Sequence, residues 1–424
     1  MATTLDNINP NLSPETPPPN RKLKLPRTFS SLRHPSFRLF WYGQTISLCG
    51  AWMQTVAQSW LVFQLTNSPF WLSVVGAAGN FPILFFSLFG GVVADRISKR
   101  GLLVFTQAAA AILALILGLL VSFKMVRVWQ IVALAAILGL VEAFDTPARQ
   151  AFVVEMVGRE DLPNAIALHS MIFHASRVIG PAIAGLLIGI FGVSISFFLN
   201  ALSFVPVIIV LMKMKLPPHK PPDTSASVWE EVSSGLKFVY GQTEARMLIL
   251  FVSVFALFAM PYAALMPAFA RDILGLGAKG YGGLMSVVGV GALLGALYLA
   301  TVGDSHNKGR AVAVSALLSS AGLILFAFSH NLWLSAITLF IIGFCFVTGI
   351  ATSNIILQIL TPHELRGRVM SIFTLMFIGM IPIGNLIIGA LAHVWGISVA
   401  VAIGGGICLL TAIVLFQKQK QFRI

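Results

Sequence analysis

The chain has 424 residues, of which 57% are hydrophobic and only 10% are charged. Soluble domains carry about 25% charged residues because their surface faces water, so this composition excludes a soluble protein of two or three domains. The net charge is +13, and a strongly basic chain can indicate nucleic-acid binding. Here the basic residues are scattered over short loops, and we expect no nucleic-acid partner.

Twelve apolar stretches are long enough to cross a bilayer, which takes about 20 residues in a helix. The predicted spans are residues 39–64, 70–93, 102–123, 128–146, 163–190, 194–212, 247–270, 281–302, 311–329, 332–353, 368–391 and 397–416. Membrane strands would instead be short and alternating, whereas residues 108–121 are continuously apolar. The sequence therefore predicts an all-α integral membrane protein with about 12 transmembrane helices.

The basic residues also predict the orientation. With twelve spans, 23 Lys and Arg residues lie on the side of the two termini and four lie on the other side. Cytoplasmic loops carry the excess of Lys and Arg in membrane proteins. We therefore expect a multi-pass protein of the inner (plasma) membrane with both termini in the cytoplasm, in contact with anionic lipids.

Polar segments divide the chain. Residues 1–36 are Pro-rich and lack the apolar core of a signal peptide, so we predict a disordered cytoplasmic tail, with a docking arm as the alternative. Six-helix bundles are predicted over 37–212 and 246–417. Between them, 213–245 should form a cytoplasmic linker with a short amphipathic helix near 228–240, and 418–424 a second tail.

The two predicted bundles share an internal repeat. Leu162 matches Leu365 at an offset of 203 residues, both just before a span. At an offset of 204, three glycines recur in the fifth and eleventh spans: Gly180, Gly185 and Gly192 match Gly384, Gly389 and Gly396. Each half has six spans, so the repeats run parallel. By analogy, this is the arrangement of major facilitator transporters, with a binding site between the halves.

The loop between the second and third spans carries five residues of a known pattern: Gly91, Asp95, Arg96, Lys99 and Arg100. The pattern resembles the signature of the major facilitator superfamily, with Ser98 replacing its second glycine. In that family the loop latches the halves in the outward-open state, so the resemblance implies gating. We expect Gly91 to allow close helix approach and Asp95 to cap or ion-pair across the halves. A plain positively charged turn is the alternative.

The fifth span has small residues at the spacing of an antiporter signature, in the order Ser176, Gly180, Pro181 and Gly185. Such residues also serve helix packing alone. Residues 144–152, 162–165, 175–181 and 364–371 are similar to the branch containing the enterobactin exporter and related drug and macrolide efflux proteins. This resemblance extends from about 32 to 416 and implies export.

Polar side chains within the spans are candidate cargo ligands. Arg177 lies roughly 21–25 Å from the cytoplasmic side at 1.5 Å per residue, and a charge within a span is a functional candidate. His174 lies one turn away, and Gln54 and Gln58 reach a similar depth in the first span. We expect these four residues to line a central cavity, with Arg177 attracting acidic or oxygen-rich cargo. Alternatively, helix carbonyls satisfy Arg177 as a structural residue.

Two carboxylates, Glu142 and Asp145, share a face near the cytoplasmic end of the fourth span, and Arg149 lies one turn further on. Buried carboxylates could carry protons in a coupled transporter. Pairing with Arg149 would instead make them a structural ion-pair cluster. Both interpretations stay open from the sequence.

No pattern indicates an enzyme, a cofactor or a metal site. The cysteines at 49, 345 and 408 all lie in spans, and no Gly-x4-Gly-Lys-Ser/Thr string suggests ATP hydrolysis. We predict a monomeric secondary active exporter that moves a small molecule, a siderophore or an amphipathic drug-like compound, by alternating access with protons as the coupling ion. Alternatives are uptake of a metabolite or lysophospholipid and a non-transporting receptor or scaffold.

Overall fold

The computed structural model describes residues 27–214, 228–302 and 307–418, and every regular element within these ranges is helical. The α-helices are α1 Pro35–Thr66, α2 Pro69–Arg96, α3 Lys99–Ser122, α4 Val128–Phe191, α5 Ser194–Lys213, α6 Val228–Gly241, α7 Thr243–Val254, α8 Tyr262–Ala268, α9 Ala278–Val302, α10 Lys308–Ala327, α11 Leu332–Leu360, α12 Arg366–Trp395 and α13 Ile397–Lys418. Short 3₁₀ helices precede α1 (Arg27–Arg33) and α12 (His363–Leu365).

Twelve helical segments of the described chain account for the predicted spans. Eleven of them are long and apolar enough to cross a membrane. The twelfth is α1, which carries several glutamines and is therefore less apolar. Its 32 residues extend about 48 Å at 1.5 Å per residue, more than the hydrocarbon thickness. The prediction of about twelve transmembrane helices is confirmed.

Helix α4 contains both the fourth and the fifth span. The polar stretch 147–162 was expected to be a loop, but the helix continues through Pro147 to Gly158 and resumes at Glu160. Gly158 has φ +71°, a conformation that glycine adopts at low cost. The prediction was wrong because polar side chains do not end a helix that extends beyond the hydrocarbon. We call residues 128–158 and 160–191 the first and second arms of α4.

The seventh span, Thr243–Ile273, is not a uniform α-helix. Helices α7 and α8 alternate with two π-helical segments, Phe255–Ala259 and Phe269–Ile273. Prolines at 261 and 267 lack the amide hydrogen that a regular helix needs. π-Helical turns shift the register of the following residues and occur frequently at functional sites.

The segments outside the bundles differ in part from expectation. Residues 27–36, predicted as the end of a disordered tail, form the 3₁₀ helix and the start of α1, because serines in this segment hydrogen-bond to α4. The amphipathic linker helix is confirmed as α6. Residues 1–26, 215–227 and 419–424 of the predicted tails and linker lie outside the described residues.

Two helix pairs form the seams between the bundles, α4 with α9 and α2 with α12. A Cβ atom at Gly185 would lie 3.2 Å from the Cα atom of Gly282 on α9. In the other seam, a Cβ atom at Gly389 would lie 2.2 Å from the Cβ atom of Ser73 on α2. Gly185 and Gly389 are the repeat-related glycines, so the repeat in sequence produces two equivalent close approaches.

The close approaches described across the seams lie towards one end of the bundles, where α1 ends and α2 begins. Along α2 and α12, the described contacts reach from this end to Leu84, whose Cδ1 atom would lie 2.6 Å from a Cβ atom at Gly379. Further from this end, nothing in the described part of the chain lies within 4 Å of a Cβ atom at Gly91 of α2 or at Gly367 of α12. The bundles are therefore joined at one end, the closed end, and part towards the end where α1 begins, the open end.

Candidate functional site

Arg177 lies in the second arm of α4, where this arm packs against α9. Its carbonyl oxygen would be 2.7 Å from a Cβ atom at Gly289. The hydroxyl of Ser286, also on α9, donates a hydrogen bond over 2.8 Å to the carbonyl oxygen of Val178, the residue that follows Arg177. The backbone of Arg177 is thus fixed at the seam between the two bundles, near the middle of the span.

The guanidinium group of Arg177 is held by few contacts. Its carbon Cζ lies 5.6 Å from the ring centroid of Trp52 on α1, within the range of a cation–π interaction. Tyr262 of α8 is close enough to interact electrostatically with it. The Nε atom is buried without a hydrogen-bond partner among the described residues. No helix carbonyl satisfies this donor, which argues against a purely structural arginine.

His174 lies one turn before Arg177, as the sequence predicts. Its ring meets the ring of Phe173 edge to face, with centroids 5.5 Å apart. Its Nδ1 atom is also buried without a described hydrogen-bond partner. Two polar groups with unused hydrogen-bonding capacity, one on Arg177 and one on His174, therefore lie on neighbouring turns of one helix.

Tyr262 is a site residue that the sequence analysis missed. It is buried in the C-terminal bundle and lies within electrostatic range of Arg177. The sequence feature that could have indicated Tyr262 is its position directly after Pro261, in a span with few polar residues. Arg177 and Tyr262 belong to different bundles, so a group bound beside Arg177 would lie near both of them.

Gln54 of α1 differs from the expectation that it lines the cavity. Gln54 is buried, and its Oε1 atom accepts a hydrogen bond from Asn200 of α5 over 2.7 Å. Depth along a helix does not determine the direction of a side chain, and this one points into the N-terminal bundle. Gln58 is half-buried one turn further along.

The antiporter-like residues of α4 pack against two different helices. Ser176 accepts a hydrogen bond from the Cys49 thiol over 3.3 Å, and a Cβ atom at Gly180 would lie 2.9 Å from the Cys49 carbonyl oxygen. Pro181 and Gly185 face Gly282 of α9 across the seam. This motif therefore joins α4 to its own bundle on one side and to the opposite bundle on the other.

Asp145 belongs to a buried hydrogen-bonded cluster. Its Oδ1 atom accepts hydrogen bonds from Thr106 (2.6 Å) and Gln107 (2.9 Å) of α3. Its Oδ2 atom pairs with Arg149, one turn further along α4. Arg149 in turn reaches the side-chain amide of Gln44 on α1. This environment favours the structural ion-pair interpretation for Asp145.

Glu142 has a different environment, although it lies only one turn before Asp145. It is exposed and forms no ion pair with any described residue. Ile137 and Leu140 mark an exposed apolar side of α4. At about 100° per residue, Glu142 lies about 140–200° around the helix from these two residues. It therefore lies on the opposite side of α4 from this exposed apolar surface.

The loop between α2 and α3 is joined to other helices of the N-terminal bundle. Lys99 forms an ion pair of 2.8 Å with Glu155 of α4. Arg100 donates a hydrogen bond of 2.7 Å to the carbonyl oxygen of Met214 and a second one to that of Met212, at the end of α5. Such contacts satisfy carbonyl groups that a helix end leaves free.

Gly91 does not have the close helix contact that the sequence predicts for it. Nothing lies within 4 Å of a Cβ atom at Gly91, whereas a Cβ atom at Gly90 would lie 2.2 Å from the carbonyl oxygen of Ala143 on α4. The close helix approach therefore belongs to Gly90. Arg96 is exposed, and the side chain of Asp95 lies outside the described part of the structure.

Comparison with known families agrees with this architecture. The profile of the family described as transmembrane secretion effector matches residues 27–422, nearly the whole chain. The chain belongs to this family of the major facilitator superfamily. It is therefore a multi-pass membrane transporter, and its two bundles are the parallel halves of the major facilitator fold.

Relatives within the superfamily include a siderophore transporter, a multidrug efflux pump and a siderophore exporter. The chain is 24% identical to the staphyloferrin A transporter of Staphylococcus aureus, over 85% of this chain and 90% of that protein. It is 26% identical to the multidrug efflux pump Tap of Mycolicibacterium fortuitum (81% and 85%). It is 25% identical to the enterobactin exporter EntS of Shigella boydii (90% and 91%). The predicted resemblance to exporters of this branch is confirmed.

Solved structures give the same fold. The nucleoside transporter NupG superposes with a TM-score of 0.73, over 91% of this chain and 99% of that chain, at 12% identity. At this identity the likeness concerns the fold alone.

Proposed function

We propose that this transporter exports a siderophore or an amphipathic drug-like compound, by alternating access and with the proton gradient as the driving force. The observation that carries the proposal is the under-coordinated Arg177 beside Trp52 at the junction of the two bundles. The names of its relatives, two siderophore transporters and a multidrug pump, support this cargo class.

The orientation proposed here follows from the distribution of basic residues. Both termini lie in the cytoplasm, so the open end of the bundles faces the cytoplasm and the closed end faces outward. An exporter in this state can take up cargo from inside the cell. The protein acts as a monomer in the inner membrane, surrounded by lipid and without a nucleic-acid partner.

In this proposal Arg177 binds cargo oxygen atoms. A buried guanidinium donor without a protein acceptor is stabilised by a carboxylate or another anionic oxygen of the cargo. Trp52 offers an apolar ring face beside it, and His174 offers a further polar group on the same helix. Siderophores carry anionic oxygen donors, whereas amphipathic drugs would depend more on Trp52 than on Arg177.

Glu142 is the proposed proton carrier, and Asp145 is the structural member of the pair. Asp145 is held by three side chains, so gaining a proton would disrupt a satisfied cluster. Glu142 has no such partners among the described residues and faces away from the lipid side of α4. A carboxylate in this position can exchange protons with a water-filled cavity.

The loop residues Gly91, Asp95, Arg96, Lys99 and Arg100 are proposed to stabilise the outward-open state. Lys99 and Arg100 join this loop to α4 and α5, so it moves together with the N-terminal bundle. Arg96 is exposed at the open end, where it can meet the other bundle when that end closes.

The test measures uptake into everted vesicles under an imposed pH gradient, with staphyloferrin A and ethidium as probes. We expect gradient-driven uptake of staphyloferrin A that is lost in Arg177→Ala and retained in Arg127→Ala, which removes an arginine outside the spans. Glu142→Gln should retain exchange of cargo without a gradient but lose the response to the gradient. Normal gradient-driven uptake by folded Arg177→Ala protein would contradict the cargo role.

A further inference from the structure

The 3₁₀ helix Arg27–Arg33 is bonded to the start of the second arm of α4. Ser30 donates a hydrogen bond to the Oδ1 atom of Asp161, and Ser31 donates one to the Asp161 carbonyl oxygen, each over 2.8 Å. The Ser31 amide donates to the Oδ1 atom of Asn164 over 3.0 Å. His34, which follows this helix, pairs with the Oδ2 atom of Asp161 over 2.8 Å.

Helix α6 occupies the corresponding place in the second half of the chain. It packs against the start of α12, where Arg368 donates a hydrogen bond to the hydroxyl of Ser234 over 2.7 Å. A Cβ atom at Gly235 would lie 3.1 Å from the Cβ atom of Arg368 and 3.0 Å from Ile372. The contact is thus close as well as hydrogen-bonded.

These two contacts are related by the internal repeat. Ser31 plus 203 residues is Ser234, and Asn164 plus 204 residues is Arg368. The offsets are those that relate the fifth and eleventh spans. Both serines are the second of a Ser-Ser pair. The repeat therefore includes the helix that precedes the first span of each half, together with the position where that helix binds.

The connections to the first spans are short in both halves. The 3₁₀ helix ends at Arg33 and α1 begins at Pro35, while α6 ends at Gly241 and α7 begins at Thr243. In the second half, Arg246 of α7 also donates a hydrogen bond to the Tyr240 carbonyl oxygen over 3.3 Å. A contact that fixes the preceding helix therefore also fixes the start of the first span.

We propose that the 3₁₀ helix and α6 are a repeated pair of clasps. Each clasp holds the start of the first span of its bundle against the start of the fifth, at the open end. Here the opposite bundle provides no support, and Gly158 interrupts α4 only three residues before Asp161. The clasps replace that support, so that each bundle moves as one body when the open end closes.

Amide hydrogen exchange of the purified full-length protein tests the clasps without any cargo. The Ser30→Ala/Ser31→Ala variant changes only the clasp side of the first contact, and Ser234→Ala changes only that of the second. The control is Thr55→Ala, which removes a hydroxyl bonded within its own helix. Unchanged exchange of residues 60–75, at the closed end, shows that each variant is folded.

We expect the double serine variant to accelerate exchange of residues 160–170 about 5- to 150-fold, the effect of losing two hydrogen bonds. Ser234→Ala should accelerate exchange of residues 366–376, and neither variant should affect the other half. Faster exchange of residues 27–40 with unchanged exchange of residues 160–170 would overturn the proposal, because the 3₁₀ helix would then support nothing. Unchanged amide exchange of residues 366–376 in Ser234→Ala would overturn the equivalence of the two clasps.

Discussion

The contact between α4 and α9 predicts that one added methyl group opens the closed end. A Cβ atom at Gly282 would lie 2.4 Å from the Pro181 carbonyl oxygen and 2.9 Å from the Cα atom of Gly185. Both neighbours are backbone atoms, so neither can rotate away. Gly283, the next residue, has nothing within 4 Å of its Cβ position. Gly282→Ala and Gly283→Ala are therefore matched variants that differ in the seam alone.

The expected magnitude follows from the cost of overpacking. Inserting a methyl group into a closely packed contact costs about 1–3 kcal/mol, and here the clash exists only while the seam is closed. The equilibrium should therefore shift towards the state that is open at this end by about 5- to 150-fold. Gly283→Ala should leave the equilibrium near that of the parent protein.

The assay measures opening of the other seam, between α2 and α12. Ser73 is buried on α2 against Gly389, so a cysteine there reacts with a membrane-impermeant maleimide only when that seam opens. Labelling of Ser73→Cys, with the three native cysteines replaced, should accelerate in Gly282→Ala by the same factor. Equal labelling rates in Gly282→Ala and Gly283→Ala would refute the reasoning. Faster labelling of a cysteine placed near residue 282, without faster labelling of the cysteine at residue 73, would refute movement of each bundle as one body.

Two further predictions concern the stability of the N-terminal bundle and use the apparent unfolding free energy in detergent. Asp145→Ala leaves the Arg149 charge without its partner and should destabilise by about 3–5 kcal/mol; a stability equal to that of the parent protein would refute the buried pair. Asn200→Ala leaves the buried Gln54 amide without its donor and should cost about 1–3 kcal/mol, whereas no loss of stability would indicate that Gln54 finds another partner.

The fold could be predicted from the sequence because it depends on the lengths of apolar stretches. Backbone polar groups in lipid must bond within their own segment, so each apolar stretch of sufficient length forms a helix. The boundary between the fourth and fifth spans could not be found this way. Residues 147–162 are polar whether they form a loop or a helix beyond the hydrocarbon, and the helix is interrupted at Gly158.

The site could be predicted only where the residue type was unusual for its surroundings. Arg177 is conspicuous because a charge is rare in an apolar span. Tyr262 was not found, because one extra residue in a π-turn rotates the following side chains by about 100°, and two such turns flank it. For Gln54, the depth was predictable but the direction was not, since it depends on its partner Asn200.

Charged contacts within each bundle differ from those between the two bundles. Each of the four described ion pairs joins residues of one bundle: His34 with Asp161, Lys99 with Glu155, Asp145 with Arg149, and Arg271 with Asp272. The seams are instead formed by glycines, aromatic rings such as Trp60 stacked on Tyr281, the Ser286 hydrogen bond and the Arg271 guanidinium over the Phe63 ring. Breaking a buried ion pair would cost several kcal/mol, whereas a cation–π contact such as that of Arg271 contributes about 0.5–2 kcal/mol. Opening a seam therefore leaves the ion pairs that stabilise each bundle intact.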